Sequence, residues 1–431
     1  MLRTKPVSVL AALLAALLLL TGCSDDTEME ALIREARESA AAATSTFVRP
    51  QMEVYDPETP VPGLAYTPDF TPDAQDGPDG ELARLLYARL YQLDEHGAPV
   101  PDLVRIHSVT DTGEHRFSLD LDARFADGKP LTEEDVLFSL RRGGLAASFD
   151  GAALVIPPGQ GVELRLAQLP LLREGTEDEF FPLSSRGYVV VDGRICDRDG
   201  VPLYNLVQVT TPEALLAAYQ TGEIRSLTVF GSEPDAVFPH GRAWKTDVGG
   251  RVLYSMVFRT DQPVFAESYI RRAVAAAVDR TELASEWLEP AFLFVPGWSY
   301  LWTPEQEQEA LDRLDAARQP LEASVTLLCR DDGAALRRMA ETIGWQLRRA
   351  GMTVTVSILA EAAYRQALDS GAYDLLLQRT QLPPDLSLAA VTGDGPVFTP
   401  EASAELERRL TEVCAVTPLA FSKGQTWTHI G

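Results

Sequence analysis

The order of apolar and polar residues predicts a chain of mixed helices and strands. Apolar residues recur at helical spacing in residues 81–92, which indicates a helix with one buried face. Residues 115–121 alternate between apolar and polar, as expected of a half-buried strand. An Asp127–Gly128 turn follows, and Thr132 with Asp135 three residues later predicts a capped helix start.

The later part of the chain alternates between strands and helices. We expect strands at 161–167, 227–230, 251–258, 322–329, 352–358 and 373–377, and a hairpin at 188–204. We expect helices at 212–223, 267–288, 333–350 and 360–369. The β-α-β-α-β order after residue 322 is typical of an α/β lobe.

The first residues read as an export signal. Arg3 and Lys5 precede the apolar residues 7–20, and this apolar stretch is shorter than the roughly 20 residues that span a bilayer. The following Leu-Thr-Gly-Cys resembles a bacterial lipobox, which implies a lipid on Cys23. We therefore expect a signal peptide at 1–22, a lipid-anchored tether at 23–46, and a location outside the cytoplasmic membrane. The alternative is a plain signal peptide with an incidental cysteine.

Composition and charge narrow the classes of function. The net charge of −25 argues against nucleic acid as a partner, and a chain of 431 residues suggests two or more lobes. The sequence contains no nucleophile elbow, zinc-protease motif or phosphate-binding loop, so we expect neither an enzyme nor a cofactor, and a hydrolase remains a weak third hypothesis. The other cysteines, Cys196, Cys329 and Cys414, allow at most one disulfide. The five histidines are scattered, so no metal site is expected.

Four segments, in order, resemble one protein family. Residues 115–142 resemble the signature of the family 5 extracellular solute-binding proteins, the oligopeptide, dipeptide and nickel binders of ABC transporters. Residues 343–359 and 370–377 resemble two further blocks of that family. Residues 263–283 resemble a family helix through five matching residues: Arg272, Ala273, Ala277, Asp279 and Arg280.

This resemblance implies a fold and a function. The expected fold is α/β and periplasmic-binding-protein-like (class II type), with two α/β lobes, crossing strands and a ligand cleft between the lobes. The first lobe is expected at 47–250, with residues 396–431 returning to it, and the second at 251–395. The implied function is binding of a small ligand, most plausibly a short peptide, and its delivery to ABC permease subunits by a monomeric protein.

The chain also departs from the family pattern. In the loop 182–188, Ser184 and Arg186 stand where the family has glycines. Arg379 and Thr380 replace an expected Gly-Trp pair, and the part after residue 390 is shorter than in typical members. These departures motivate an alternative, in which a degenerate binding-fold lipoprotein acts as a sensor or interaction module without transport.

The candidate ligand-binding residues fall into aromatic and charged groups. Aromatic planes with a polar edge suit a peptide or sugar, although core packing would explain the aromatic residues equally well. An arginine would meet a ligand carboxylate or form a surface ion pair, and an aspartate would meet an amino group or cap a helix. The candidates are Trp298, Tyr300, Trp302, Tyr188, Arg186, Arg379 and Asp385.

Overall fold

In a computed structural model, the described residues before 221 form small sheets and short helices. The structure describes residues 61–75, 77–230, 243–285, 287–383, 386–393 and 397–429. The predicted signal peptide, Cys23 and the tether lie outside the described residues. Val61–Gly431 form one compact unit.

Among the described residues from 61 to 220 there are ten strands and four helices. The strands are β1 (Gly63–Tyr66), β2 (Tyr91–Leu93), β3 (Pro99–Pro101), β4 (Val104–Val109), β5 (His115–Leu119), β6 (Ser148–Asp150), β7 (Ala153–Ile156), β8 (Val189–Val191), β9 (Arg194–Cys196) and β10 (Pro202–Gln208). The helices are α1 (Gly77–Leu86), α2 (Glu133–Arg142), α3 (Val162–Gln168) and α4 (Pro212–Gln220). They form two four-stranded sheets, β1-β10-β9-β8 and β4-β5-β7-β6, and the β2–β3 hairpin.

The remaining strands form one seven-stranded sheet. They are β11 (Ser226–Phe230), β12 (Ala243–Phe258), β13 (Leu288–Pro290), β14 (Ser324–Arg330), β15 (Thr353–Leu359), β16 (Leu375–Gln381) and β17 (Val416–His429). The strand order is β11-β17-β12-β16-β14-β15, and β13 also pairs with β17. The helices are α5 (Ser268–Ala277), α6 (Pro304–Ala316), α7 (Ala334–Arg349), α8 (Glu361–Ser370), α9 (Ala389–Thr392) and α10 (Pro400–Val413), with 3₁₀ turns at Pro263–Phe265 and Thr281–Leu283.

Most predicted elements are present, and the capped start of α2 is confirmed in detail. The Thr132 hydroxyl accepts a hydrogen bond from the Asp135 backbone N–H, and the Asp135 carboxylate accepts one from the Thr132 N–H. The α/β alternation from β14 to β16 is also confirmed, because α7 packs between β14 and β15 over a buried core that includes Leu327 and Ile343.

Three predicted elements differ from the structure. The helix expected at 81–92 begins at Gly77 and ends at Leu86, and Tyr91–Leu93 form strand β2. Residues 161–167 form helix α3 rather than a strand, because this short helix buries Val162, Leu164 and Leu166 together, which imitates strand alternation. The helix expected at 267–288 ends at Ala277. It ends there because Arg280 is buried and donates hydrogen bonds to the backbone oxygens of Ala275 and Val278.

Strands β12 and β17 are the two long strands of the seven-stranded sheet, with 16 and 14 residues. One end of β12 pairs with β17 beside β11, and the other end pairs with both β17 and β16. The β12–β17 register shifts between Gly249 and Leu253. The strand predicted at 251–258 therefore extends back through this irregular point to Ala243.

Two global features of the described residues concern cysteines and membranes. The three cysteines in this part of the chain are buried and unpaired. Within the same residues, no helix has both the length and the apolar character needed to cross a bilayer.

Candidate functional site

The irregular point of β12 lies at two glycines that allow close approach of other groups. A Cβ on Gly249 would lie 2.4 Å from the Trp298 ring, and a Cβ on Gly250 would lie 2.1 Å from the Ser422 backbone oxygen. Neither position therefore has room for a side chain. We call Gly249, Gly250, Trp298 and the turn that contacts Trp298 the junction.

Trp298 connects the aromatic segment to this strand. Its ring lies over Gly249, and its Nε1–H donates a hydrogen bond of 3.2 Å to the Gly250 oxygen. The side chain is half-buried and packs against a core that includes Leu253 and Phe421. The residue thus combines a fixed orientation with a ring that solvent still reaches.

The turn of the β2–β3 hairpin completes the junction. His96 Nδ1 lies 2.8 Å from the Trp298 backbone oxygen, so this nitrogen carries the proton and donates it. The His96 backbone oxygen accepts a hydrogen bond of 3.1 Å from the Tyr300 N–H. Gly97 lies under the same indole ring. Residues from the first sheets and from the segment before α6 are therefore held together at this point.

A buried carboxyl group holds the start of the aromatic segment. Glu407 Oε1, on α10, accepts hydrogen bonds from the backbone N–H groups of Phe294 (2.6 Å) and Val295 (3.1 Å). Burial raises the pKa of Glu407 to about 8, although the two backbone donors act in the opposite direction. This side chain is consequently neutral at moderately acidic pH while it still accepts from both donors.

Glu289 and Lys423 are two ionisable groups near the register shift between β12 and β17. Glu289 is on β13, beside Phe421 of β17, and burial raises the pKa of its carboxyl group. The nearby Lys423 has the opposite effect on that pKa. A carboxyl group and an amine thus lie close to the residues that form the junction.

The other aromatic candidates line the same segment. Tyr300 and Trp302 are half-buried and pack against the same core as Trp298. The structure thus brings the three predicted aromatic residues together, and it supports part of each interpretation, since they pack on the core and keep exposed surface.

The two charged candidates near β16 have different outcomes. Arg379 is exposed on β16, opposite Tyr254 of β12, and its side chain hydrogen-bonds the Tyr254 hydroxyl. Burial raises the pKa of that hydroxyl. Asp385 lies outside the described residues.

The 182–188 loop folds back onto its own sheet. Arg186 Nη2 lies 2.5 Å from Asp102 Oδ2, and its Nε–H donates to the backbone oxygens of Arg84 and Tyr87. The Ser184 hydroxyl donates to the Leu86 oxygen at 2.5 Å. Ser184 and Arg186, which replace the family's glycines, therefore donate these hydrogen bonds to groups within the protein.

Tyr188 belongs to the same region as this loop. It is half-buried against a core that includes Leu64 and Leu82. Since Asp102 directly follows β3, the loop residues lie at the base of the β2–β3 hairpin and Trp298 lies at its turn. The loop candidates Arg186 and Tyr188 thus lie at one end of this hairpin, and Trp298 and Tyr300 contact its other end. Arg379 lies on β16 and belongs to neither group.

Sequence reasoning missed several residues of the junction. His96 is one of five histidines scattered along the sequence, and no local pattern marks it. The adjacent glycines at 249 and 250 were the one available signal, because glycine inside a strand often marks a close approach.

A cavity of about 530 Å³ lies away from this junction. It is lined by α5, the end of α6 and α7, with Asp279, Glu282, Arg318 and Arg349 among its polar residues. Its mixed charges do not single out one ligand class.

Comparison with known proteins identifies the type of fold. Residues 205–390 match the family described as "Bacterial extracellular solute-binding proteins, family 5 Middle". That segment includes the junction glycines, the aromatic segment and the sheet from β12 to β16. No match was found among curated protein sequences.

Solved structures show similarity over most of the chain. The ABC transporter substrate-binding protein CtaP from Listeria monocytogenes has a TM-score of 0.65 at 17% identity, with 85% of this chain and 93% of that chain covered. The oligopeptide-binding protein AppA from Bacillus subtilis, in complex with a nonapeptide, has a TM-score of 0.54 at 15% identity, covering 85% and 95%. NikA from Brucella suis, in complex with Fe(III)-EDTA, has a TM-score of 0.57 at 15% identity, covering 85% and 95%.

These similarities confirm the family resemblance and the periplasmic-binding-protein-like α/β fold expected from the sequence. The family consists of binding proteins rather than enzymes.

Proposed function

Because the chain shares its fold and its middle segment with the family 5 extracellular solute-binding proteins, we propose that it is a lipid-anchored solute-binding protein of an ABC importer. In this proposal it binds a small ligand, a short peptide first of all, and delivers it to permease subunits as a monomer. The family match over residues 205–390 carries the proposal, because it covers Gly249, Gly250 and Trp298 of the junction.

The proposed lobes follow the expected boundaries. The first comprises 47–250 with 396–431 returning to it, and the second comprises 251–395. The register shift after Gly249 supports this division, since β12 passes there from the region beside β11 to the region beside β16. The C-terminal half of β17 pairs beside β11, as a returning segment would.

The proposed ligand site lies at the junction. Trp298, Tyr300 and Trp302 offer half-exposed aromatic surface, and the neighbouring backbone offers hydrogen-bonding groups of the kind that peptides use. Arg379 would attract a ligand carboxylate, because it is an exposed cation on β16, the strand that pairs with β12 in the same sheet. Asp385, Arg186 and Tyr188 remain candidates of the proposal, with Arg186 already engaged by Asp102.

Ligand binding would act by shifting an equilibrium between open and closed forms. The glycine pair lies where the register between β12 and β17 shifts. We therefore place the hinge of this motion there. A ligand that contacts both the hairpin turn and the aromatic segment would favour the closed form. The permease would then select that form.

The membrane anchor is the proposed diacylglyceryl group on Cys23. Each buried methylene of an acyl chain contributes about 0.8 kcal/mol to membrane binding. We expect the full chain, expressed in a bacterium, to sediment with membranes. The Cys23→Ala variant should remain in the soluble extracytoplasmic fraction, and membrane association of that variant would contradict the anchor.

Thermal unfolding of the purified protein tests the binding proposal. It would be measured with pooled di- to pentapeptides, nickel chelates and oligosaccharides in separate samples. Ligand at 100 times its dissociation constant stabilises the folded state by about 2.7 kcal/mol, which raises the midpoint by several degrees. A rise with peptides supports the proposal, and a rise only with chelates or sugars replaces the ligand class.

A second candidate function is a sensor or interaction module that does not transport. The loop at 182–188 favours it, because Ser184 and Arg186 fill the loop with internal hydrogen bonds. A cooperatively folded protein whose unfolding midpoint responds to none of the three ligand pools would favour this candidate.

A further inference from the structure

Two of the scattered histidines meet in the sheet β4-β5-β7-β6, apart from the junction. His107 is on β4 and His115 on β5, and His107 Nε2 lies 3.0 Å from His115 Nδ1. Glu163, on α3, places Oε1 3.3 Å from His107 Nδ1. One ligand atom from each of the three side chains lies within 4.8 Å of the other two. Three separate elements therefore deliver two imidazoles and one carboxylate to one point.

This cluster is built into the protein rather than displayed on a mobile surface. His115 is buried, and the side chains of His107 and Glu163 are only 19% and 29% exposed. The His107 ring stacks on Phe117, with 4.3 Å between ring centres. The rings are thus held in place before any ligand arrives, which lowers the cost of ordering them.

The backbone fixes the tautomer of His115. Its Nε2 lies 3.1 Å from the Gly159 oxygen, and because a carbonyl oxygen only accepts, Nε2 must carry the proton. The lone pair on Nδ1 therefore faces His107. A histidine that donates one ring N–H to a backbone carbonyl and offers the other nitrogen is the usual arrangement of a metal ligand.

Two neutral histidines cannot satisfy all of these contacts. If His107 carries its proton on Nδ1 and donates to Glu163, its bare Nε2 faces the bare Nδ1 of His115. If the proton is on Nε2, the bare Nδ1 of His107 faces the Glu163 carboxylate.

A metal ion removes this conflict. Two ligand nitrogens on one tetrahedral zinc ion, each about 2.0–2.1 Å from the metal, lie roughly 3.3 Å apart. The observed separation of 3.0 Å is close to that spacing. Imidazole and carboxylate ligands suit zinc and its first-row neighbours.

We propose that His107, His115 and Glu163 form a binding site for one divalent transition-metal ion of the zinc class. The ion would link β4, β5 and α3, and three protein ligands would leave a position for water. This site is independent of the proposed peptide site, since it shares no residue with the junction.

The test is calorimetric titration of the chelator-treated full chain with zinc chloride, together with visible absorption after addition of cobalt chloride. We expect one equivalent of zinc and a tetrahedral cobalt band. His107→Phe keeps the ring stacked on Phe117 and should weaken zinc binding at least 100-fold. Glu163→Gln keeps the shape of the side chain and should weaken it about 10-fold or more.

His429→Gln is the matched control, because His429 hydrogen-bonds a single backbone oxygen, that of Tyr219, far along the chain. It should bind zinc like the wild type. Thermal unfolding without metal verifies that each variant is folded. Absence of zinc binding by the wild type would overturn the proposal and leave a shared proton between the histidines. Equal zinc affinity in the wild type and in a folded Glu163→Gln or His107→Phe variant would overturn it as well.

Discussion

The indole nitrogen of Trp298 donates a hydrogen bond to the backbone oxygen of Gly250. This bond joins the segment before α6 to the strand where the two long strands of the sheet change register. It exists because glycine occupies both 249 and 250, which lets the indole and the Ser422 backbone approach β12. The hairpin turn contacts the same tryptophan, because His96 Nδ1 donates a hydrogen bond to the Trp298 backbone oxygen.

Alanine at either glycine of the junction should destabilise the protein. A Cβ at 250 would meet a backbone oxygen at 2.1 Å, and a Cβ at 249 would meet the indole ring at 2.4 Å. Overpacking of this kind costs about 1–3 kcal/mol in the free energy of unfolding, measured by urea denaturation. Gly297→Ala is the control, since nothing lies within 4 Å of its added Cβ. Equal stability of Gly250→Ala and Gly297→Ala would refute the close approach.

Arg280→Lys should also weaken the fold. The buried guanidinium donates to the backbone oxygens of Ala275, Val278 and Pro418. A lysine ammonium cannot reach all three, so buried oxygens lose their partners, at a cost of about 2–4 kcal/mol in unfolding free energy. Arg318→Lys changes an exposed ion pair and should change that energy by less than about 0.5 kcal/mol. A loss no larger for Arg280 than for Arg318 would show that the buried contacts contribute little.

The sequence predicts one helix boundary correctly and misses another. The start of α2 was predictable because Thr132 and Asp135 are three residues apart, and capping depends only on such neighbours. The end of α5 was not, because Arg280 terminates it and that arginine also binds Pro418, on a distant strand. Helical spacing alone continued the pattern through residue 288.

The same distinction applies to the candidate site. Trp298, Tyr300 and Trp302 could be selected from the sequence because they cluster within five residues. The contacts of Trp298 and Tyr300 with His96 depend on how separate elements of the fold meet, so no local sequence pattern predicts them. For Arg186 the sequence allowed either a contact with a ligand carboxylate or a surface ion pair, and the structure shows an ion pair with Asp102.

Glu407 should make stability depend on pH. Its pKa is about 8 in the folded protein and near 4.5 when unfolded, so the folded state holds its proton more tightly. The stabilisation is complete below about pH 4.5 and is lost as pH rises towards about 8. Glu407→Gln, a neutral acceptor of similar shape, should remove this component, so the variant gains stability relative to wild type over that range.

The measurement is the free energy of unfolding at a series of pH values. Glu407→Ala, which leaves the N–H groups of Phe294 and Val295 without an acceptor, should be about 1–3 kcal/mol less stable than Glu407→Gln at every pH. Glu401→Gln changes an exposed carboxylate on the same helix and should leave the pH profile as it is. Parallel profiles for the wild type and Glu407→Gln would contradict the raised pKa.

Arg186→Ala should reduce the stability of the protein. It leaves Asp102, whose side chain is only 13% exposed, without its cation, and it removes donors from two backbone oxygens. We expect a loss of about 1–3 kcal/mol in unfolding free energy. In the Asp102→Asn background the same substitution should cost less, which a double-mutant cycle measures. A loss of ligand affinity with unchanged stability would instead make Arg186 a ligand contact.

Calorimetric titration with the stabilising peptide pool tests solute binding at the junction most directly. The wild type should bind saturably with one site per chain, and Trp298→Ala should bind at least 10-fold more weakly while it still unfolds cooperatively. Trp345→Ala is the control, because Trp345 is 48% exposed on α7. It should keep the affinity of the wild type. Absence of peptide binding by the wild type, or equal affinity in the Trp298 and Trp345 variants, would contradict solute binding at the junction.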